Sequence, residues 1–341
     1  MKQILVVLPN WYGETLFVTP LLRILRRQRP EAHIATLGVP ACREVLLHNP
    51  HVDELIDFEE QGTYRGLLGR WRLIQALRTH QFDTAFILRP SLSRTLLLAL
   101  AGIPARVGFA HAKSGWLLTT RVPRSPMPRH KAFSYLPLLE AAGLASTRTA
   151  YEYTVAPQER DAARAFLASR GWPIVVLHPG ANWPHKRWPV ERFAALGDQL
   201  ADIHQARILI TGGPEAVELA AAVQRAMRQP AQVVAGETTF RQLGAVLEQV
   251  ALVVSNDTGV LHLAAALQRP LVALYGPTSP VLTGPLGDPQ RMIVLHHSDC
   301  CPRIPCYAPD DPAHPGMSAI SVGEAYDAAR ELLTREAVAP S

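Results

Sequence analysis

The sequence predicts an α/β fold of two doubly wound parallel sheets, and three observations carry that expectation. Short aliphatic strands alternate with amphipathic helices along the chain. The strands are apolar without interruption rather than at every second residue, as in a parallel sheet covered on both faces. The alternation also restarts at Ile174-Val175-Val176-Leu177, in a chain whose 341 residues exceed one compact α/β unit. In the first half, strands are expected at Ile4–Leu8, His33–Leu37, Glu54–Asp57 and Thr84–Leu88. Helices are expected over Thr15–Arg27, Ala41–His48, Gly66–Thr79 and Ser91–Ala101. A helix from Pro157 to Arg170 leads into the second half. There, strands follow at Ile174–Leu177, Arg207–Thr211, Gln232–Val234, Leu252–Ser255 and Leu271–Leu274, with helices between them. The expected organisation is a Rossmann-like domain over residues 1–155, a second over 156–320, and a closing helix over 321–336 that packs back on the first. Two such domains facing each other across a cleft would offer ligands the carboxyl ends of both sets of strands.

Composition narrows the function classes. Hydrophobic residues make up 48% and charged ones 18%, the balance of a well-buried soluble protein. The apolar opening run stops at Pro9, and the run from Thr95 to Pro104 is also far short of the roughly 20 residues a membrane span needs. A cytoplasmic location is therefore expected, where disulfides are not. Cys300, Cys301 and Cys306, with His296, His297 and His314 nearby, superficially resemble a metal cluster. Adjacent cysteines rarely ligate one tetrahedral ion, so no metal is expected.

Charge divides unevenly: residues 1–150 carry 19 Lys and Arg against 10 Asp and Glu, and the remainder 15 against 19. No acid interrupts the stretch between Asp83 and Glu140, which holds Arg89, Arg94, Arg106, Lys113, Arg121, Arg124, Arg129 and Lys131. Such a one-sign stretch attracts anions, or is simply a solvated basic face. No nucleic-acid motif accompanies it, and nucleic acid is not an expected partner.

Two segments of the second half point to phosphate. The strand Leu252–Ser255 runs into Asn256-Asp257-Thr258-Gly259 and then a helix. A glycine at that turn admits close backbone approach, and the helix start favours an anion. His262 lies one turn further on. The same pattern also describes an ordinary capped helix with a packed histidine. After the first strand of this half, Pro184-His185-Lys186-Arg187-Trp188 carries adjacent cations able to neutralise a diphosphate. In Thr211-Gly212-Gly213-Pro214-Glu215, the Glu215 carboxylate suits ribose hydroxyls or a helix N-terminus.

Four stretches together resemble glycosyltransferase family 9, the ADP-heptose:lipopolysaccharide heptosyltransferases. They are Ser255–Ala266, Lys186-Arg187-Trp188-Pro189, Gly13-Glu14-Thr15-Leu16-Phe17-Val18-Thr19-Pro20-Leu21-Leu22 and Leu274-Tyr275-Gly276-Pro277-Thr278-Ser279-Pro280, in the family's order over residues 1 to 335. The resemblance implies a GT-B fold, with the nucleotide sugar on the C-terminal domain and the acceptor on the N-terminal one. It implies that Lys186 and Arg187 meet the diphosphate, that Asp257, Thr258, Gly259 and His262 surround phosphate and sugar, and that Glu215 lies near the ribose. Neither metal nor other cofactor is implied.

Family members invert the sugar, so a carboxylate must deprotonate the acceptor hydroxyl. The matching position is Glu14, where the family places aspartate; the extra methylene moves the carboxylate about 1–1.5 Å outward. Gly13, Arg89, Arg94, Lys113 and Arg121 are the expected acceptor contacts, since lipopolysaccharide core offers carboxylates and phosphates that arginine recognises well. Trp116-Leu117-Leu118 would touch the inner-membrane surface transiently or pack in the core. A sugar-nucleotide 2-epimerase and a nucleotide-binding relative without transferase activity are the competing readings.

Overall fold

The computed structural model describes residues 1–60, 62–125, 127, 129–167, 173–300, 304–306 and 315–338, and divides into two compact units, Met1–Thr154 and Val155–Ser341. In the first unit the chain runs β1 (Gln3–Val7), α1 (Tyr12–Leu16), α2 (Thr19–Gln28), β2 (His33–Gly38), α3 (Pro40–Leu46), β3 (Glu54–Asp57) and α4 (Gly66–Thr79). It continues through β4 (Thr84–Ile87), α5 (Leu92–Leu100), β5 (Ala105–Phe109), β6 (Thr120–Val122) and α6 (Leu136–Ala141). All strand pairs are parallel, in the order β3-β2-β1-β4-β5-β6. The order reverses between β1 and β4, and in such sheets ligands bind at the carboxyl ends of those two strands. One face of the sheet is closed by α4 and α5, whose Leu73, Ile74, Leu77, Leu97 and Leu98 share a core with Leu5, Val7, Ala85 and Ile87.

The single helix expected over Thr15–Arg27 is two helices. Pro20 has no N–H, and its ring would clash with the carbonyl of Leu16, so the helix cannot run through. The Thr19 hydroxyl donates instead to that carbonyl at 2.8 Å, and α2 starts afresh with proline in its first turn. Glu14 thereby sits on a helix of five residues just beyond β1. Strands β5 and β6 lie outside the expected set. Gly108 and exposed Arg121 interrupt their apolar character.

The second unit runs α7 (Pro157–Leu167), β7 (Ile174–His178), α8 (Val190–His204), β8 (Arg207–Ile210), α9 (Val217–Ala226), β9 (Ala231–Val233), α10 (Phe240–Leu247) and β10 (Leu252–Asn256). Then come α11 (Gly259–Ala266), β11 (Leu271–Tyr275), α12 (Pro280–Thr283), β12 (Met292–His296), α13 (Pro315–Ala319) and α14 (Val322–Val338). Its strand order, β12-β11-β10-β7-β8-β9, repeats that of the first unit and reverses between β7 and β10. The apolar stripe of α14, Ala325, Ala328, Ala329, Leu332 and Leu333, lies in the core of the second unit beside Leu252, Val254, Val272 and Leu274. Among the described residues no helix is long and apolar enough to cross a membrane.

Candidate functional site

The sequence puts the chemistry of the second unit at its strand reversal. β10 ends in Asn256, fully buried, and α11 opens after Thr258, whose hydroxyl accepts from the Val260 N–H at 3.2 Å. Between them, Asp257 is buried and its carboxylate is held on both sides. Oδ2 accepts from Lys186 Nζ at 2.7 Å and from the Thr278 hydroxyl at 2.7 Å, while Oδ1 lies 3.8 Å from His262 Nε2. Burial alone would raise the pKa of this carboxyl. The Lys186 charge, then His262 and the two hydrogen bonds, outweigh burial and hold the group below the ordinary carboxylate range. Asp257 thus fixes the ammonium of Lys186 beside the first turn of α11. Cation and helix start together make a surface that favours an anion.

The loop bearing Lys186 is itself pinned by β10. Asn256 donates from Nδ2 to Pro179 O at 2.9 Å and accepts at Oδ1 from Trp188 N at 3.2 Å, so one side chain grips both ends of the loop. Trp188 is buried edge-on to Phe193, ring centroids 5.1 Å apart, and donates its indole N–H to Ile320 O at 2.9 Å. At the end of β7, His178 is paired with the Thr211 hydroxyl at 2.9 Å, and burial lowers its pKa to about 4, leaving it neutral. Thr278 and Asn256 belong to stretches quoted from the sequence, but their roles, like that of His178, show only once loops after four strands come together.

Two further expected donor contacts stand outside this cage. Arg187 Nε and Nη2 both donate to Ala181 O, at 3.0 and 2.9 Å. The guanidinium closes its own loop, because an arginine so near a bare carbonyl satisfies it more cheaply than water can. Glu215, in a short turn after β8, is exposed, and its carboxylate folds back over Gly213, where any Cβ would collide with it. It keeps a free approach to a ligand.

In the first unit Gly13 and Glu14 follow β1, one of the two strands between which its order reverses. The Glu14 side chain is 30% exposed, 3.8 Å from Lys131 Nζ, whereas that of Asp257 is 6% exposed. Burial raises the pKa of Tyr135, and the charge of nearby Glu14 adds to this against Arg89 and Arg124. Glu14, Lys131, Arg89 and Arg124 thus share one neighbourhood at the carboxyl end of the sheet. Arg89 and Lys113 are exposed beyond β4 and β5, and Arg121 is exposed on the edge strand β6. Arg94 is the exception among the expected acceptor contacts. It is buried, donating to Leu8 O at 3.1 Å and to Asn10 Oδ1 at 2.8 Å, with Phe58 5.3 Å away across its face. It supports the loop before Glu14 from below. Leu117 and Leu118 are buried in the core, while Trp116 is exposed.

Among the described residues no group of three or more His, Cys, Asp or Glu side chains is placed to hold a metal. Cys301 and His314 lie outside the described residues.

Residues 70–308 match the model of glycosyltransferase family 9 (heptosyltransferase). Lipopolysaccharide heptosyltransferase 2 of Escherichia coli (strain K12) is 32% identical over 308 residues, covering 86% of this chain and 88% of the relative. The enzyme of the same name from Salmonella typhimurium is 31% identical over 306 residues, with the same coverage. The solved structure of E. coli ADP-heptose lps heptosyltransferase II superposes with a TM-score of 0.83 at 28% identity, covering 98% of this chain and 100% of that one. That of a glycosyl transferase family 9 protein from Veillonella parvula gives 0.86 at 25% identity, covering 98% and 97%. The two doubly wound units are those of the GT-B fold.

Proposed function

The chain belongs to glycosyltransferase family 9, and from that premise we propose that this glycosyltransferase carries heptose from ADP-heptose to the lipopolysaccharide core, with inversion at C1. The second unit takes the donor and the first takes the acceptor. The observation that carries this division is the caged Lys186–Asp257 pair at the start of α11. Lys186 and the N–H groups of α11 receive the charge that grows on the departing diphosphate, and His262 and Thr258 border the same seat. Glu215 meets the ribose hydroxyls.

Glu14 deprotonates the acceptor hydroxyl as it attacks C1. Its partial exposure keeps the carboxylate reachable, with the Lys131 ammonium 3.8 Å away. Arg89, Lys113 and Arg121, with Lys131 and Arg124, meet Kdo carboxylates and lipid A phosphates. Such an acceptor is anchored in a bilayer. The enzyme is accordingly cytoplasmic, touching the cytoplasmic face of the inner membrane transiently and taking no nucleic acid.

ADP release from ADP-heptose, measured with Kdo-lipid A and with its heptosylated form, tests the reading. Release dependent on one of these acceptors, and lost in Glu14→Gln, is the expected result. Full activity in that variant would remove Glu14 from the chemistry, and ADP release indifferent to acceptor would remove the transfer itself.

A further inference from the structure

A helix covering a sheet ordinarily presents polar residues outward. α4 does not. Its inner face, Leu73, Ile74 and Leu77, is in the core, yet on its outer side Leu67 is 84% exposed, Leu68 77% and Trp71 54%. Arg65, Arg70 and Arg72 stand exposed among them, and the helix contains no acid. The neighbouring α5 repeats the pattern at helical spacing, with Leu92, Leu96 and Leu100 exposed on one stripe and again no acid. The two helices pack together, and Arg78 ties their ends. Its guanidinium donates to Leu100 O at 2.8 Å and lies 5.7 Å from the Trp71 ring centroid. Beyond α5, the short turn Gly115–Leu117 raises Trp116, 66% exposed.

We propose that this α4–α5 face is the surface by which the first unit seats itself on an anionic lipid bilayer, leucine and tryptophan entering the headgroup–acyl boundary and the arginines pairing with lipid phosphate. The chemistry favours this occupant over a protein. Leucine and tryptophan interleaved with arginine, with no carboxylate on either helix, is the composition of an interfacial helix. A second copy of the chain would bring the same arginines against each other, and like charges repel across an interface. The position also fits: α5 begins just past Arg89, so the face runs away from the neighbourhood of Glu14. The proposal deepens the membrane contact inferred above by assigning it a surface, and it is testable without any acceptor.

The test is flotation of the full chain with phosphatidylcholine vesicles, with and without phosphatidylglycerol. The chain is expected to float with the anionic vesicles, to stay behind with the neutral ones, and to be released by high salt. The triple variant Leu67→Ser, Leu68→Ser, Trp71→Ser should bind the anionic vesicles at least about tenfold more weakly. Unchanged melting temperature and unchanged transfer to a water-soluble, deacylated acceptor show that the variant is folded. Arg70→Gln with Arg72→Gln, which keeps the apolar surface, should abolish the preference for anionic lipid. Equal flotation of wild type and both variants, or none by the wild type, overturns the proposal. So does a wild-type dimer that the triple variant turns into monomer. Absence of transfer by the wild type would count against the reaction assigned above and leave the flotation result standing.

Discussion

The two units repeat one strand order, and beside the strand reversal of each stands one carboxylate, after the first strand in one unit and after the fourth in the other, held in opposite ways. Asp257 is walled in, with Lys186 and Thr278 on one oxygen and His262 facing the other. Glu14 stands on a five-residue helix, partly in solvent, with one cation at 3.8 Å. The contrast teaches that a carboxylate which organises other groups is best buried and paired, whereas one proposed to receive a proton has to stay reachable. A buried pair costs desolvation and so cannot lose a member without penalty, while a half-exposed base is thermodynamically dispensable.

Substitutions separate the two roles. Glu14→Gln is expected to lower kcat by about a thousandfold, with ADP binding and melting temperature unchanged, as steady-state kinetics and a thermal melt would read. Lys186→Met should cost about a hundredfold in kcat, the loss of one preorganised cation. Unlike Glu14→Gln, it should also destabilise the fold by about 3 kcal/mol in urea unfolding, because Asp257 is left charged and buried. If Lys186→Met left stability untouched, the picture of a caged carboxylate would fail. Glu14→Asp, the residue the family resemblance leads one to expect here, withdraws the carboxylate by one methylene. It should slow kcat about tenfold in an acceptor pocket shaped around glutamate. A faster enzyme would show that the pocket still fits aspartate.

The last prediction concerns stability alone. Buried His178 titrates near 4 in the folded state, against about 6.5 unfolded. Below the unfolded value the unfolded chain takes up a proton that the folded chain refuses, so stability falls from about pH 6.5 down to about pH 4 and levels off beneath. Denaturation curves across that window should slope less steeply for His178→Gln than for the wild type.

Much of this was legible in the sequence, for local reasons. Uninterrupted aliphatic runs such as Leu252-Val253-Val254 announce buried parallel strands, and a strand ending in Asp-Thr-Gly announces a capped helix start. What escaped was decided at long range. Nothing near Asn256 says that its amide will reach Pro179 and Trp188, and nothing near Thr278 says that its hydroxyl will meet Asp257. Two arginines expected to meet ligands are tied at least in part to their own unit: Arg187 donates to a backbone carbonyl, and Arg94 to a backbone carbonyl and the Asn10 side chain. The break between α1 and α2 followed from Pro20 and was visible in principle, since proline forbids a through-running helix at that place.

The amide of Asn256 has one more consequence. By holding Pro179 at one end and Trp188 at the other, it fastens the mobile-looking proline- and tryptophan-rich segment into a closed ring before any nucleotide arrives. A loop frozen in advance surrenders no conformational freedom on binding, and freezing even a few residues costs about 1–2 kcal/mol each. On the proposed donor site, affinity for the diphosphate is then set partly by this loop clamp, and Asn256→Ala is expected to weaken ADP binding in calorimetry through entropy while leaving every charge in place.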